Sequence, residues 1–353
     1  MFNELSALAE YWQVLKKDNP ELRARNAAYV LGVSELELLM TRPESEVLLL
    51  KHQPNHVLPR LEALGQVSAL TRNNGVIMQK TGQYRDFSID GQVGIAGGEI
   101  DLRVSLESLA YSLAVTENTA DGQILSLQFF DAHGESVHKV YLTDQSDFDA
   151  YRKLIDEFTP ANQDRNVQVQ DKLVTPDPVI DLDVAAFRQG WLDVQNAEQF
   201  SGLLNQYNLS RQLAYQLVDN YLAHGLDPVA FEAVFYGAAM RKLPVRMTVG
   251  SFAVVQEHDS VIKVLKRSGR WFNATQPGFS LRTDTTQIGS VLVVRKPSGN
   301  ETSISVELLD QNGELLLELN SNGAGASASQ SEWDAMITTL ESRYSLVGKN
   351  IVA

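Results

Sequence analysis

The chain repeats itself, and that repeat limits the folds open to it. Ser126-Leu127-Gln128-Phe129-Phe130-Asp131-Ala132-His133-Gly134-Glu135 matches Ser305-Val306-Glu307-Leu308-Leu309-Asp310-Gln311-Asn312-Gly313-Glu314, 179 positions further on. Both segments are apolar, turn at Asp-x-x-Gly and lead into a second β-like run, Val137–Leu142 or Leu315–Leu319, which is the pattern of a β-hairpin. The same spacing pairs Leu102-Arg103 with Leu281-Arg282 on β-like stretches upstream. Downstream, Ser146-Asp147-Phe148-Asp149-Ala150 pairs with Ser331-Glu332-Trp333-Asp334-Ala335 at a larger spacing, because a Gly/Ala/Ser loop from Asn322 to Ser329 is inserted in the second copy. Each of these matches is expected to open a helix, with serine at the cap and an acid in the first turn. Nearer the start of each copy, Arg25, Ala28, Tyr29 and Leu31 pair with Arg211, Ala214, Tyr215 and Leu217 on amphipathic helical patterns. Each copy therefore predicts helices, a meander of antiparallel strands and a closing helix. This is an α+β fold made by tandem duplication, each repeat a large antiparallel β-sheet with flanking helices, and it disfavours a parallel nucleotide-binding sheet. The polar, proline-punctuated stretch from Thr159 to Pro178 is the expected linker, dividing the chain into 1–170 and 171–353.

Composition narrows the chemistry. At 353 residues each half is large enough to bury its own core. The absence of cysteine removes disulfides, thiolate metal sites and cysteine nucleophiles, and suits a reducing compartment. The first twenty residues interleave charged and apolar positions, unlike a secretory signal, and no later run is apolar for the length of a membrane span. A cytoplasmic protein without membrane insertion is expected. A formal charge of −14 disfavours nucleic acid as a partner, since that needs clustered Lys and Arg.

Few motifs carry chemistry. Gly91-Gln92-Val93-Gly94-Ile95-Ala96-Gly97-Gly98 is followed by the β-like Glu99–Val104 and not by a helix, so a hairpin is favoured over a phosphate cradle. There is no Walker lysine loop, HExxH helix or GxSxG elbow. Pro54 between His52 and His56 opposes a helical metal pair, and His133 and His138 read as turn and strand residues with structural partners. Arg103 and Arg282 are more informative, because each takes the same place in its copy on an apolar strand. A guanidinium there suits a carboxylate ligand, although an ordinary internal ion pair explains it as well.

At this point the residues resemble the bacterial haemin-transport and haemin-degrading protein family. The stretches that carry the resemblance are Ala69-Leu70-Thr71-Arg72-Asn73, Glu99-Ile100-Asp101-Leu102-Arg103 and the Ser126–Thr143 hairpin of the first copy. In the second copy they are Pro277-Gly278-Phe279-Ser280-Leu281 and Val294-Arg295-Lys296-Pro297. The resemblance implies a cytoplasmic two-repeat protein that holds haem between its repeats, and it implies haem, a haem oxygenase and the haem-import machinery as partners. It also implies an arginine approaching the iron, at Arg103, and a facing histidine in a helix that reads here Asn196-Ala197-Glu198-Gln199-Phe200-Ser201-Gly202-Leu203-Leu204. The histidine position is Glu198, a carboxylate and so a weak ligand for haem iron. Phe200 and Phe129 are implied as walls, Arg282 and Lys296 as partners of the haem propionates. The family's Phe-Gly-x-Arg arginine falls in Leu319-Asn320-Ser321-Asn322-Gly323, and its tryptophan at Leu292. Haem carriage, with degradation as a further activity, is one expectation. The other is a diverged paralogue that has lost haem binding and serves as a regulatory or scaffold module, or takes another apolar anion.

Overall fold

The computed structural model describes residues 2–20, 22–119, 122–171, 182–251, 253–298, 301–321 and 327–346. Of the expected linker, 172–178 lies outside the described residues, as do 322–326 of the inserted loop and with them two of the five Leu319–Gly323 positions. The chain divides into two compact units, one of residues 1–72, 79–172 and 251–256, the other of 73–78, 173–250 and 257–353. Among the described residues no helix is long and apolar enough to cross a membrane.

The first unit contains the helices α1 (Phe2–Asp18), α2 (Ala24–Leu31), α3 (Glu35–Met40), α4 (Pro54–Val57) and α5 (Phe148–Phe158). Its strands are β1 (Val47–Leu49), β2 (Gly65–Arg72), β3 (Val76–Gly82, of which 76–78 belong to the second unit), β4 (Arg85–Asp90), β5 (Val93–Gly97), β6 (Leu102–Ser105), β7 (Tyr111–Thr119), β8 (Gly122–Phe130) and β9 (Ser136–Ser146). They run in the order β1-β7-β8-β9-β2-β3, and β4, β5 and β6 form a meander whose last strand pairs with Val254, Val255 and Gln256. The pairings of β7 with β8 and of β8 with β9 are antiparallel, as the alternation predicts. The glycine run forms the expected hairpin, β4 turning into β5 at Gly91, where φ is +57°. Val67, Ala69, Leu127, Phe129 and Val140 point from β2, β8 and β9 onto Tyr151, Leu154 and Phe158. Those last three sit at i, i+3 and i+7 of α5 and form its buried stripe.

The second unit continues with α6 (Val184–Asp193), α7 (Ala197–Gln206), α8 (Arg211–Leu217), β10 (Ala223–Leu226), α9 (Ala230–Arg241), β11 (Pro244–Gly250), β12 (Val254–Val261, of which 254–256 belong to the first unit), β13 (Val264–Ser268), β14 (Trp271–Gln276), β15 (Phe279–Asp284), β16 (Ser290–Ser298), β17 (Glu301–Leu309), β18 (Leu315–Asn320) and α10 (Ser327–Tyr344). Strands order as β10-β16-β17-β18-β11-β12, with β13, β14 and β15 a meander equivalent to β4–β6. One core joins α9 and α10 to the sheet through Phe231, Phe235, Val306, Leu308, Trp333 and Ile337. The other seats α6, α7 and α8 on Leu292, Val294 and Leu309 through Trp191, Phe200 and Tyr215. The Trp191 ring lies edge-on to Phe200 at 4.9 Å, and its Nε1 donates to Arg295 O at 3.0 Å, so the buried indole is satisfied.

Both Asp-x-x-Gly turns are built alike. Asp131 Oδ1 accepts from the backbone N–H of His133 (2.9 Å) and Glu135 (3.0 Å), and Asp310 Oδ1 from Asn312 (2.8 Å) and Glu314 (3.0 Å). Gly134 and Gly313 follow at φ +70° and +81°, the left-handed backbone that glycine adopts without strain. The turns also correct the pairing of the helices. A Cβ on Gly134 would lie 2.5 Å from Ser34 Oγ, just before α3, and one on Gly313 would lie 2.5 Å from Gln212 Oε1, on α8. Ser34 and Ser210 cap these two helices, accepting from Glu37 N and Leu213 N. So α3, not α2, is the counterpart of α8, and Glu35, not Arg25, stands opposite Arg211. Tyr29 is accordingly exposed and Tyr215 buried. The caps of the closing helices also differ from expectation. Asp147 caps α5 because its carboxylate takes two N–H groups where the Ser146 hydroxyl offers a weaker acceptor, and α10 starts at Ser327, which puts Ser331 inside the helix.

In the first unit's core, His138 is a satisfied structural histidine. Its Nδ1 lies 2.8 Å from Thr71 Oγ1 and its Nε2 2.6 Å from the Tyr84 hydroxyl, while Phe129 packs beside the ring. Burial drives its pKa down to about 3, so it is neutral when folded. The unfolded chain takes up a proton below about pH 6.5 that the native chain refuses, so the contribution is full above that pH and lost as pH falls toward 3. Urea unfolding of His138→Phe at pH 5.5 and 4.0 is expected to show a pH slope shallower than wild type by ~1.4 kcal/mol per pH unit. Equal slopes would mean that this imidazole titrates when folded.

Candidate functional site

The sequence-predicted residues fall into different environments. Arg103 is exposed on β6, in register with Ile95 and Val255, and no ion pair with it forms among the described residues. Arg282 is exposed on β15, its guanidinium 4.9 Å from the Trp271 ring. Glu198 is exposed in the first turn of α7, where a carboxylate favours the helix N-terminus. Asn196 caps that turn by accepting from Gln199 N at 2.9 Å. Phe200, two residues on, is only 1 % exposed and packs in the core with Trp191 and Tyr215. Phe129 is buried likewise.

Two of the predicted residues do meet, in a cluster that sequence reasoning missed. Lys296 Nζ lies 4.7 Å from the centre of the Phe200 ring and 2.7 Å from Glu307 Oε1. Glu307 is fully buried in the middle of β17. Its Oε2 accepts from the Tyr215 hydroxyl and lies 3.3 Å from Arg211 Nη1, and the Ser305 hydroxyl donates to Oε1 at 3.3 Å. Arg211 sits over Phe200 at 5.3 Å, and Lys296 also approaches Glu318 at 3.7 Å. Burial alone would raise the Glu307 pKa; Lys296 and Arg211 overcome it and hold the carboxyl down at about 2. Burial opposes the charge on Arg211, yet Tyr215, Glu307 and Glu318 raise its pKa above the usual guanidinium range. Tyr215 is held as the neutral phenol by burial and by Glu307. The arrangement is a neutralised ion cluster on an aromatic floor, with both cations committed to carboxylates. The signal was present in the sequence as an acid, Glu307, set among Val306, Leu308 and Leu309 at the apolar end of β17.

The first unit carries the same positions with the charges changed. At the 179-residue spacing Gln128 stands for Glu307, Lys139 for Glu318 and Glu117 for Lys296. With Glu35 opposite Arg211, the acid and base have exchanged places: Lys139 Nζ lies 2.6 Å from Glu35 Oε1. The duplicated scaffold is retained while its charge pattern is not.

The comparisons with known proteins agree with this architecture. The model of the haemin-degrading HemS.ChuX domain matches twice, at residues 32–158 and 208–340, starting two residues before Ser34 and Ser210. Hemin transport protein HmuS of Yersinia pestis is 29% identical over 339 residues, covering 95% of this chain and 97% of its own. Among solved structures, holo-PhuS, a heme-binding protein from Pseudomonas aeruginosa, superposes with a TM-score of 0.89 at 33% identity, over 95% of this chain and 99% of that one. The heme degrading enzyme ChuS of Escherichia coli O157:H7 gives a TM-score of 0.88 at 26% identity, over 95% and 99%. With both repeats matched by the family model and the likeness running nearly end to end, the chain belongs to the haemin-degrading HemS.ChuX domain family.

Proposed function

We propose that this protein binds haem in the cytoplasm and carries it as cargo in haem uptake and utilisation, taking it from the import machinery and passing it to a haem oxygenase. The observation that carries the reading is the full-length likeness to a heme-binding protein, with both repeats kept. The residues favour carriage over degradation. Arg103 and Arg282 offer exposed guanidinium groups for the propionates or for a polar group near the iron, and Glu198 offers only a carboxylate oxygen at the position the resemblance gives to the metal ligand. Lys296 reaches a propionate only by leaving Glu307, so it adds little to affinity. A specific observation favours the second reading, a diverged module that has lost haem binding: Glu307 and Glu318 neutralise the two cations nearest Phe200.

Titration of the purified protein with haemin separates the two. Carriage gives a Soret shift that saturates at one haem per chain and is weakened in Arg103→Ala. A linear rise without saturation sinks the carrier reading and leaves the diverged module.

A further inference from the structure

The charge exchange between the repeats has a consequence in the first unit. In the second unit the two cations of the buried cluster face two carboxylates, Glu307 paired with both Arg211 and Lys296, and Glu318 beside Lys296. In the first unit the corresponding face of β2 and β9, under α2 and α3, is left with too few. Lys139 is held by Glu35 at 2.6 Å and Arg25 by Glu135 at 2.9 Å. Arg72, at the end of β2, lies within electrostatic reach of both pairs but forms an ion pair with neither carboxylate. Its Nε is shut off from solvent and has no hydrogen-bond partner, and Glu35 Oε2 is likewise unpaired. Tyr141, beside Lys139 on the same strand, adds Arg23 and Glu117 to the groups facing this place. The cations are Arg23, Arg25, Arg72 and Lys139; the carboxylates are Glu35, Glu117 and Glu135. Arg23 is exposed to solvent, and Glu35 and Glu135 are already paired with Lys139 and Arg25, so Arg72 is left without a carboxylate of its own, its buried Nε having nothing to donate to.

A desolvated guanidinium without a counter-ion is costly, and its planar fork matches an oxyanion. The contrast with the other repeat is direct. Burial and the neighbouring Arg25 depress the Arg72 pKa to about 10, whereas the carboxylates around Arg211 raise that group's pKa. A water bridging Arg72 Nε and Glu35 Oε2 would satisfy both orphan atoms but would not give Arg72 a counter-ion. Arg25 and Glu135 are partly exposed, so the place is reached from solvent. We propose that the first unit holds a small oxyanion, a carboxylate or phosphate group, at Arg72 with Lys139 and Arg25 beside it. This inference does not depend on haem binding.

The probe is inorganic phosphate, followed by acetate, added to the full chain without haem at constant ionic strength made up with sodium chloride. Calorimetric titration is expected to show saturable one-to-one phosphate binding, matched by a rise in Tm that chloride does not produce. Acetate competing with phosphate identifies the carboxylate as accepted by the same place. Arg72→Gln is expected to weaken phosphate binding at least tenfold, and in phosphate-free buffer to unfold no more easily than wild type, because an uncompensated buried charge has gone. Arg72→Lys, which keeps the charge and loses the fork, is expected to fall between the two. Absence of saturable phosphate binding by wild type overturns the proposal even if Arg72→Gln does not fold. Undiminished binding by a folded Arg72→Gln overturns it as well.

Discussion

Glu307→Ala is expected to destabilise the second unit by about 3–5 kcal/mol, the range for breaking a buried ion cluster by removing one partner. The carboxylate is fully buried and serves four donors at once: Lys296, Arg211, the Tyr215 hydroxyl and Ser305. Its removal leaves two cations near an apolar floor of Phe200 with their charges uncompensated, and desolvation makes that the largest single penalty available in this region. Glu307→Gln keeps the shape and one accepting oxygen, so it should cost less than alanine. The change that separates a charge effect from a packing effect is the pair Lys296→Met and Glu307→Gln. Together they should cost less than the sum of the two single variants by about 0.5–3 kcal/mol, the coupling of residues in one network. Guanidinium unfolding at pH 7 measures all four proteins. Strictly additive losses would show that the two side chains do not act as a unit. The same carboxylate sets an acid limit. Its folded pKa is about 2 against 4.5 unfolded, so the stability it contributes is present above about pH 4.5 and is lost as pH falls toward 2. Glu307→Gln should remove that part of the acid sensitivity.

The parts of this molecule that were legible in the sequence are those fixed by local rules. The Asp-x-x-Gly hairpins follow from one carboxylate capping two N–H groups and one glycine at positive φ, so both copies announced themselves. The strands around Gly91 were legible for the same reason. The helix pairing was not. Arg25 and Arg211 align by residue type, but the helix that meets the turn glycine is chosen by packing, and it begins at Ser34 in one copy and Ser210 in the other. The ion cluster was hidden for a third reason. Its members come from α8, β16, β17 and β18, and Arg211 and Glu307 are 96 residues apart, so no spacing rule links them. What the sequence did contain was the compensating pattern, Gln128, Lys139 and Glu117 against Glu307, Glu318 and Lys296. It is readable as an exchange of charge only once the register sets Gln128 beside Lys139 and Glu307 beside Glu318. Phe200, an aromatic next to a candidate ligand, packs edge-on to Trp191 and stacks on Tyr215, contacts that no spacing rule links to it.

Glu198→His is expected to tighten haem binding roughly tenfold or more, about 1.4 kcal/mol, and to change the Soret and visible bands to those of a nitrogen-ligated iron. The argument starts from the ligand atom. A neutral imidazole nitrogen is a good donor to haem iron, and a carboxylate is a poor one. It continues with the position, which is exposed in the first turn of α7, so the larger ring is accommodated without repacking. The turn itself is held by Asn196 accepting from Gln199 N and by Phe200 in the core one position further on, neither of which the substitution touches. The cost is the loss of a negative charge from the helix N-terminus, small beside an iron–nitrogen bond. Two controls make the result specific. Glu198→Gln removes the same charge without supplying a ligand nitrogen and should leave the spectrum as in wild type. Acidification of the Glu198→His complex below about pH 6 should release haem more readily than wild type does, because protonation removes the imidazole as a ligand. If Glu198→His binds haem with unchanged affinity and unchanged bands, this helix turn does not face the iron. The metal ligand must then be sought on another element, and the carboxylate at Glu198 is a helix-capping charge and nothing more.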